Sequence, residues 1–481
     1  MNILLIMADQ FRGDWMSCRG TDFVRTPHID EIARGGVRFP GTVCNSPLCA
    51  PSRASIAAGV YPHRTGVMSN DKNFPTARNT YYRVLREHGY RVSVIGKSDL
   101  HKPDHFYGKN GDLPLMYHLG FTDSLDTEGK MNSCKKRGCL SEADCRFDTY
   151  SRDADIPEGL LAGPYQHYLR EKGLLLDFSR DYYKRLFEKP VWHSGVSVLS
   201  ADDCHDSFIG RNACEYLENV SDESPWHLFV SFAGPHDPWD APKEYYERYK
   251  DVRFEDFAQT APEHGPALSG NSGKGKPGWV QRRIHAESEG MGAQDLLEVK
   301  RHYAAAISLI DDWIGKMLAV LDSRGLRDNT AIIFCSDHGE MLGEHGLFTK
   351  SCMYEGALRV PLIMSVPGAT GGRTENGMAE LVDLYPSILD MAGIDFDKEG
   401  LDGISLLPVI TGNEKIPRNF QYSELNNTRM ISDGNYKLID SLNDISELYD
   451  LKKDPCELSN ILADNKAIAR SLRKKMNEIC K

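Results

Sequence analysis

The sequence has no long apolar run, no excess of positive charge and few cysteines for its length. No apolar run approaches the roughly 18 residues that a membrane-spanning helix needs, so we expect no membrane association. The 481 residues carry 57 Lys and Arg against 69 Asp and Glu, a net charge of -12. Nucleic-acid binders normally carry a basic face, so we expect no nucleic-acid partner. An anionic small substrate stays open, because a few basic side chains can reverse the field inside one pocket.

Cysteines and export signals are also scarce. The 12 cysteines are too few for a disulfide-stapled scaffold in a chain of 481 residues. The N-terminus, MNILLIMADQF, lacks the basic start and the apolar length of an export signal, so we expect a cytoplasmic protein with reduced thiols. Cys134, Cys139 and Cys145 form a loose cluster, but their spacing contains no CxxC pair and disfavours a zinc site.

Short apolar runs alternate with helical patterns through most of the chain. Strands are predicted at 2–8, 91–95, 226–232 and 330–336. Helices are predicted at 80–88, 302–324 and 381–393. Alternation of this kind predicts an α/β fold with a large, mostly parallel sheet sandwiched by helices.

Two regions interrupt this alternation. Residues near 104–203 are polar and rich in Tyr, and residues near 254–292 are rich in Gly, Pro and His. Both are predicted as long surface insertions into an N-terminal catalytic domain over 1–411, and such insertions often line an active site. After 412, strand candidates and a final helix predict a smaller C-terminal α+β subdomain over 412–481. The strand candidates lie at 420–424, 429–432 and 436–440, and the helix at 465–480.

Polar side chains stand at the ends of two predicted strands. Asp9 and Gln10 end the first strand, and Asp337 and His338 follow the strand at 330–336. Ligands bind at the carboxyl ends of strands in open α/β sheets. Mostly oxygen ligands with negative charge suit Ca²⁺ or Mg²⁺, and one imidazole is also compatible with Mn²⁺. Taken singly, each Asp is equally compatible with a helix cap or a turn.

Cys49 lies in the run PLCAPSRASIAAG, where a loop of small residues and proline leads into an Ala-rich helix. The N-terminal amides of that helix favour an anion, and Arg53 adds a fixed cation. A thiol at this place would be activated, and it would lie close to a metal held by the two strand ends. The alternative is a structural cysteine buried at a helix start.

The C-x-P-S-R motif at Cys49 resembles the signature of the type I, formylglycine-dependent sulfatases of the alkaline phosphatase superfamily. Further segments recur in the order typical of that family. They are TPHID at 26–30, YPHRTG at 61–66, GK at 96–97, PHDP at 235–238, SDHG at 336–339, GLFTKSCMYEGALRVP at 346–361, LYDL at 448–451 and DP at 454–455. The resemblance covers nearly the whole chain and implies a sulfuric ester hydrolase. It also implies that a formylglycine-generating enzyme oxidises Cys49 to formylglycine.

The resemblance implies a role for each matched residue. The implied ligands of one divalent metal, with Ca²⁺ favoured over Mg²⁺ and Mn²⁺, are Asp9, Gln10, Asp337 and His338, with residue 49 as a further ligand. Many family members have a second Asp where this chain has Gln10. The implied catalytic residues are Cys49, Arg53, Lys97, His236 and Lys350. In this scheme the cationic side chains hold sulfate oxygens, and His236 protonates the departing alcohol.

The chain departs from the family pattern after Gly96-Lys97. The family commonly has a His two residues beyond the lysine, whereas this chain has Asp99 there and His101 two residues further on. An ionised Asp cannot donate a hydrogen bond to sulfate, so the departure indicates an atypical substrate. Asp99 and His101 are candidate substrate contacts. Asn70 is a third, because some relatives carry a leaving-group contact at that place.

A small sulfated saccharide, for instance a glycosaminoglycan fragment, is the expected substrate. A cytoplasmic enzyme would meet imported fragments, and aromatic side chains that stack on sugars are predicted around the site. These are Trp192, His193, Trp239, Tyr245, Tyr246 and His264. Aryl and choline sulfates are disfavoured. Two alternatives stay open: a phosphonate monoester or phosphodiester hydrolase of the same fold, and a binding protein whose Cys49 stays unconverted.

Overall fold

The computed structural model describes residues 1–138, 146–147, 149–254, 287–412, 414–442 and 445–480. The strands are β1 (Asn2–Asp9), β2 (Val37–Arg38), β3 (Arg91–Gly96), β4 (Asp123–Asp126), β5 (Trp226–Pro235), β6 (Thr330–Ser336), β7 (Leu362–Ser365), β8 (Arg373–Thr374), β9 (Gln421–Leu425), β10 (Thr428–Ser432), β11 (Tyr436–Ser441) and β12 (Glu447–Asp450). The α-helices are α1 (Pro27–Gly35), α2 (Cys49–Ala58), α3 (Pro62–Thr65), α4 (Tyr81–Glu87), α5 (Pro114–Leu119), α6 (Pro164–Glu171), α7 (Leu175–Tyr183), α8 (His205–Asn219), α9 (Lys243–Tyr246), α10 (Ala293–Ser323), α11 (Glu355–Leu358), α12 (Leu384–Met391), α13 (Leu407–Ile410) and α14 (Lys466–Ile479). Within these residues, every helix is too short or too polar to cross a membrane.

Eight strands form one sheet in the order β4-β3-β5-β1-β6-β7-β2-β8. The five strands from β4 to β6 are parallel to one another, and β7 runs antiparallel to both of its neighbours. The central strands β1, β5 and β6 are buried at every residue, as expected for a sheet covered on both faces. The predicted α/β fold with a mostly parallel sheet is confirmed.

Helices cover both faces of this sheet, because successive side chains of a strand point to opposite faces. On one face, Leu5 of β1 packs in a core that includes Ile56 of α2. On the other face, Ile6 packs in a core that includes Ile310 of α10. Helix α10 begins nine residues before the predicted start at 302, because its first turns are partly exposed and lack the apolar stripe.

The C-terminal strands form a second, antiparallel sheet in the order β12-β11-β10-β9. Helix α14 packs on it through Leu472 and Met476, which share a core with Tyr422 and Leu438. Three of these strands and the helix match the predicted elements within two residues. β12 is recognised in the sequence only through the LYDL motif, because a four-residue strand carries little periodic signal.

The segment near 104–203 is more than a surface insertion. It supplies the edge strand β4, and its helices α6 and α7 bury Tyr165, Phe178 and Tyr182 in the core below the main sheet. The expectation of a surface segment is wrong for these aromatic residues, because polar neighbours in the sequence conceal their inward face. Residues 255–286, with His264, lie outside the described residues, as do Cys139 and Cys145. Cys134 is buried.

Candidate active site

Four parallel strands end beside one another at a single edge of the main sheet. Asp9 is the last residue of β1, and Lys97, His236 and Asp337 directly follow β3, β5 and β6. The strands are neighbours in the order β3-β5-β1-β6, so their carboxyl ends meet where ligands bind in such sheets. The predicted side-by-side placement of the strands ending at Asp9 and Asp337 is therefore confirmed.

Asp9, Cys49, Asp337 and His338 form a buried cluster at this edge. One ligand atom from each lies within 4.8 Å of the others. The Sγ atom of Cys49 is 3.1 Å from Nε2 of His338 and 3.9 Å from Oδ1 of Asp9. Nδ1 of His338 donates to the carbonyl oxygen of Gly339, which leaves Nε2 facing the cluster. Two carboxylates and an imidazole are a donor set that fits a divalent cation.

Cys49 is the first residue of α2, a helix in which every residue is buried. Burial raises the pKa of the Cys49 thiol, but the charges of Lys102, Lys97 and Lys350 outweigh burial and hold that pKa well below its ordinary value. A nucleophile at this position therefore faces several positive charges. An anion that replaced the thiolate would face the same charges.

Arg53 lies one turn into α2 and holds the two acidic strand ends together. Its Nε donates to Oδ2 of Asp337 at 2.8 Å, and its Nη2 lies 3.6 Å from Oδ2 of Asp9. Burial lowers the pKa of Arg53, but the two carboxylates more than reverse that effect, so the guanidinium stays charged. Its Nη2 is buried and makes no hydrogen bond with the described residues. That nitrogen is free to donate to a bound oxyanion.

Lys97 contacts the carboxylate of Asp9 and lies 3.2 Å from Oδ2 of Asp99. Burial lowers the pKa of Lys97, but the two carboxylates raise it well above its ordinary value. Burial and Cys49 raise the pKa of Asp9. Lys97, His236 and Arg53 lower that pKa by more, so the net shift is downward. Both partners are therefore charged at neutral pH.

Lys350 and His236 belong to a second polar cluster beside the first. Nζ of Lys350 contacts Oε1 of Gln10 and Nε2 of His236. Nε2 of Gln10 donates to Oδ1 of Asp237 and to Oε2 of Glu340. The structure thus places the amide of Gln10 among these side chains, while only its backbone N–H donates to Asp337, at 3.1 Å.

Glu340 and Asp237 are site residues to which the sequence analysis assigns no role. Burial raises the pKa of Glu340 to about 7, and its Oε1 accepts from the backbone N–H groups of Leu342 and Thr349. Asp237 lies with Oδ1 3.1 Å from Nδ1 of His236. The sequence could have indicated both residues, because Asp237 directly follows His236 and Glu340 lies two residues after His338.

The candidate substrate contacts occupy three different environments. Oδ1 of Asn70 accepts from the backbone N–H of Ala50, so Asn70 supports the first turn of α2. Oδ2 of Asp99 lies between the ammonium groups of Lys97 and Lys102. Nε2 of His101 is 2.7 Å from Oδ2 of Asp126, and the imidazole is buried.

Three of the six residues predicted to form an aromatic rim make contacts within the protein. Trp239 is buried, and its indole N–H donates to the carbonyl oxygen of Val191. The hydroxyl of Tyr245 donates to Asp312, and Tyr246 stacks on His302. The aromatic character of these residues serves packing, and periodicity alone could not separate packing from sugar contact.

A family model described as Sulfatase matches residues 1–394, and the chain is 31% identical to a choline-sulfatase from Rhizobium meliloti. The chain belongs to the sulfatase family. That alignment covers 96% of this sulfatase and 82% of its relative. A second model, for the C-terminal part of N-sulphoglucosamine sulphohydrolase, matches residues 343–481. The resemblance carried by C-x-P-S-R is confirmed, and the sulfatase is a sulfuric ester hydrolase.

Two further comparisons place this sulfatase among its relatives. It is 27% identical to an N-acetylglucosamine-6-O-sulfatase from Bacteroides thetaiotaomicron, over 96% of this chain and 82% of the relative. A crystal structure of a phosphonate monoester hydrolase from Agrobacterium radiobacter superposes with a TM-score of 0.75 at 23% identity, covering 99% of this chain and 95% of that one. The latter shows a shared fold.

Proposed function

We propose that this sulfatase hydrolyses the sulfate ester of a small saccharide, with a formylglycine made from Cys49 and one divalent cation. The observation that supports this most is the position of Cys49. It begins a buried helix at the sheet edge and lies among two aspartates, one histidine and several cationic side chains. Nucleophile, metal ligands and sulfate-binding charges therefore converge on one point.

Asp9, Asp337 and His338 would hold the cation, with residue 49 as a further ligand. The buried donor atoms within 4.8 Å of one another fit a single ion, and the two carboxylates suit a hard cation, for which we propose Ca²⁺ ahead of Mg²⁺ or Mn²⁺. Gln10 can join them only if its Oε1 exchanges Lys350 for the cation. When bound, a divalent cation draws charge from the sulfate oxygens and lowers the pKa of the nucleophile.

The nucleophile itself requires a partner enzyme during maturation. A hydrated formylglycine offers one hydroxyl to take up the sulfuryl group and a second to release it, which a plain Ser or Cys lacks. Cys49 is only 1% exposed in the folded chain. We therefore propose that a formylglycine-generating enzyme acts on this segment before folding is complete.

Three cationic side chains would bind and orient the sulfate group. Nη2 of Arg53 is buried with a free N–H, while Nε of the same side chain is fixed by Asp337. Lys97 is anchored by Asp9, and Lys350 by Gln10. Because these groups are positioned before substrate arrives, they stabilise charge in the transition state without a cost of reorganisation.

His236 would protonate the departing alcohol. Nδ1 of His236 donates to the carbonyl oxygen of Asp237, and its Nε2 contacts Nζ of Lys350. To act as the general acid, His236 would carry the transferred proton on Nε2, while Lys350 keeps its own charge and donates to the sulfate group. Oδ1 of Asp237, 3.1 Å from Nδ1, would stabilise the imidazolium.

Two relatives support a saccharide as the substrate, and two others suggest alternative substrates. The N-acetylglucosamine-6-O-sulfatase and the N-sulphoglucosamine sulphohydrolase model both concern amino-sugar sulfates. The choline-sulfatase relative makes choline sulfate, with a quaternary ammonium leaving group, the first alternative. The phosphonate monoester hydrolase shares the fold.

The test is a comparison of kcat/KM across four substrates: a sulfated amino sugar, choline sulfate, an aryl sulfate, and a phosphonate monoester with the same aryl leaving group. We expect the sulfated sugar to give the highest value and the aryl sulfate to exceed the phosphonate. A higher value for the phosphonate would replace the proposal with phosphonate hydrolysis. A higher value for choline sulfate than for the sulfated sugar would contradict the proposal that the substrate is a saccharide.

A further inference from the structure

The loop after β3 brings one more lysine to the site than the family pattern implies. Asp99 has a φ of 55° and is 2% exposed, so the left-handed turn directs the buried carboxylate inward. Lys102 begins the 3₁₀ turn Lys102–Asp104 just beyond it, and its side chain is 16% exposed.

Contacts of alternating charge connect Lys102 to the metal-ligand cluster. Nζ of Lys102 lies 2.7 Å from Oδ2 of Asp99, and the same oxygen lies 3.2 Å from Nζ of Lys97. Lys97 in turn contacts Asp9. One carboxylate oxygen therefore holds two ammonium groups side by side, and one of the two already faces the site.

The nucleophile position lies at the end of these contacts. Asp9, which holds Lys97, has its Oδ1 3.9 Å from Sγ of Cys49. Lys97 and Lys102 both come from the loop after β3, whereas Lys350, which contacts Gln10, comes from the segment between β6 and β7. The site therefore receives lysines from two segments.

Asp99 itself is poorly suited to touch the substrate. Its Oδ1 is buried and makes no hydrogen bond with the described residues, and its Oδ2 is shared by two lysines. Lys102 and Lys97 lower the pKa of Asp99 against the effect of burial, so the carboxylate stays ionised and can only accept hydrogen bonds. Its contacts are those of a group that positions its neighbours.

We propose that Lys102 is a third lysine that binds the sulfate group, and that Asp99 is a positioning residue that holds Lys102 beside Lys97. The proposal rests on sulfate ester hydrolysis at residue 49. In it, an N–H of Lys102 donates to a non-bridging sulfate oxygen and so supplies the donor that the family commonly has at position 99. The nearby His101 is committed to Asp126 and does not take this role.

The test compares Lys102→Met with Lys72→Met, which removes an exposed lysine outside the site. We expect kcat/KM on the best sulfate ester to fall about 100-fold for Lys102→Met and to stay near wild type for Lys72→Met. Lys102→Arg should recover at least part of the loss, because it keeps the charge. Equal activity of Lys102→Met and Lys72→Met would overturn the proposal.

A binding measurement separates this proposal from the proposed function. Calorimetric titration with inorganic sulfate should show about tenfold weaker binding to Lys102→Met than to Lys72→Met, whether or not the protein turns over a given ester. Equal sulfate affinity would overturn the role of Lys102 even in an active enzyme. An inactive wild type that binds sulfate through Lys102 would overturn the catalytic assignment alone.

A second variant tests the exchange of donors between positions 99 and 102. Adding Asp99→His to Lys102→Met restores the imidazole that the family commonly has, and it should recover about tenfold of the lost kcat/KM. The thermal unfolding midpoint of each variant is measured alongside, so that loss of fold is distinguished from loss of contact. No recovery in a folded double variant would contradict the proposed exchange.

Discussion

The two halves of the active site are built in different ways. The strand-end half, with Asp9, His236 and Asp337, lies at the ends of parallel strands, whose register is fixed by their hydrogen bonds. The loop half, with Asp99 and Lys102, lies on a loop that contains a left-handed residue and one 3₁₀ turn. The strand ends carry the proposed metal ligands Asp9 and Asp337, and the proposed nucleophile, Cys49, begins α2 beside them. The loop carries what distinguishes this chain, so changes there should alter binding and selectivity before they abolish the reaction.

The largest effect is expected at Cys49, which begins α2 beside the strand ends. Cys49→Ala should abolish sulfate release, because nothing else at the helix start can take up and release the sulfuryl group. Cys214→Ala, at a half-buried cysteine on α8, is the matched control and should keep full activity. The comparison is read from initial rates of sulfate release. Residual activity above about 1% in Cys49→Ala would remove this residue as the nucleophile.

Asp337, in the strand-end half, is the next most sensitive position. Asp337→Ala should lower activity about 1000-fold and lower the bound metal with it, because it removes a proposed carboxylate ligand and one of the two carboxylate partners of the buried Arg53. Asp22→Ala, at an exposed aspartate, should change neither. Metal content by mass spectrometry is measured with turnover. Undiminished metal and full activity in Asp337→Ala would refute its assignment as a ligand.

His236 directly follows β5 and is proposed to act on the leaving group, so the effect of replacing it should depend on the substrate. His236→Asn should slow a saccharide ester about 100-fold and a nitrophenyl sulfate far less, since a good leaving group needs no proton. His118→Asn, at an exposed histidine of α5, serves as the control. Equal losses on both substrates would show that His236 is not the general acid.

The prediction with the smallest effect on activity concerns stability, at Glu128 in the segment after β4. Burial raises the pKa of Glu128 from 4.5 to about 7, so the folded protein keeps a proton that the unfolded chain releases. Glu128 therefore makes the free energy of unfolding fall as pH rises from about 4.5 to 7. Glu128→Gln should remove about 3 kcal/mol of that fall.

Urea unfolding at pH 5 to 8 measures this difference between wild type and Glu128→Gln. Glu223→Gln, at an exposed position, should follow the pH dependence of the wild type. Parallel pH curves for wild type and Glu128→Gln would show that Glu128 is ionised in the folded protein across this range.

The sequence predicted the strand-end half of the site better than the loop half. Asp9 and Asp337 could be placed together because each ends a clear apolar run, and parallel strands bring such ends to one edge. Cys49, Lys97 and His236 were assigned through motifs, and the structure brings them to the same edge. The amide of Gln10 could not be placed, because a side chain that can reach two neighbouring clusters has no sequence signal for either.

In the loop half, the sequence indicates Asp99 as a departure from the family pattern but does not place Lys102. The position of Lys102 depends on the left-handed turn at Asp99 and on one carboxylate oxygen shared by two lysines. Neither leaves a periodic pattern. The sequence also could not show that two residues of the predicted aromatic rim, Trp239 and Tyr245, are buried, because aromatic composition is the same for packing and for sugar contact.

The central claim is that residue 49 acts as a formylglycine, and the peptide mass around it tests this most directly. Conversion lowers the mass of the peptide that contains residue 49 by about 18 Da. Preparations with different converted fractions should release sulfate in proportion to that fraction, with none from fully unconverted protein. Sulfate release by protein whose residue 49 is still a thiol would contradict the account.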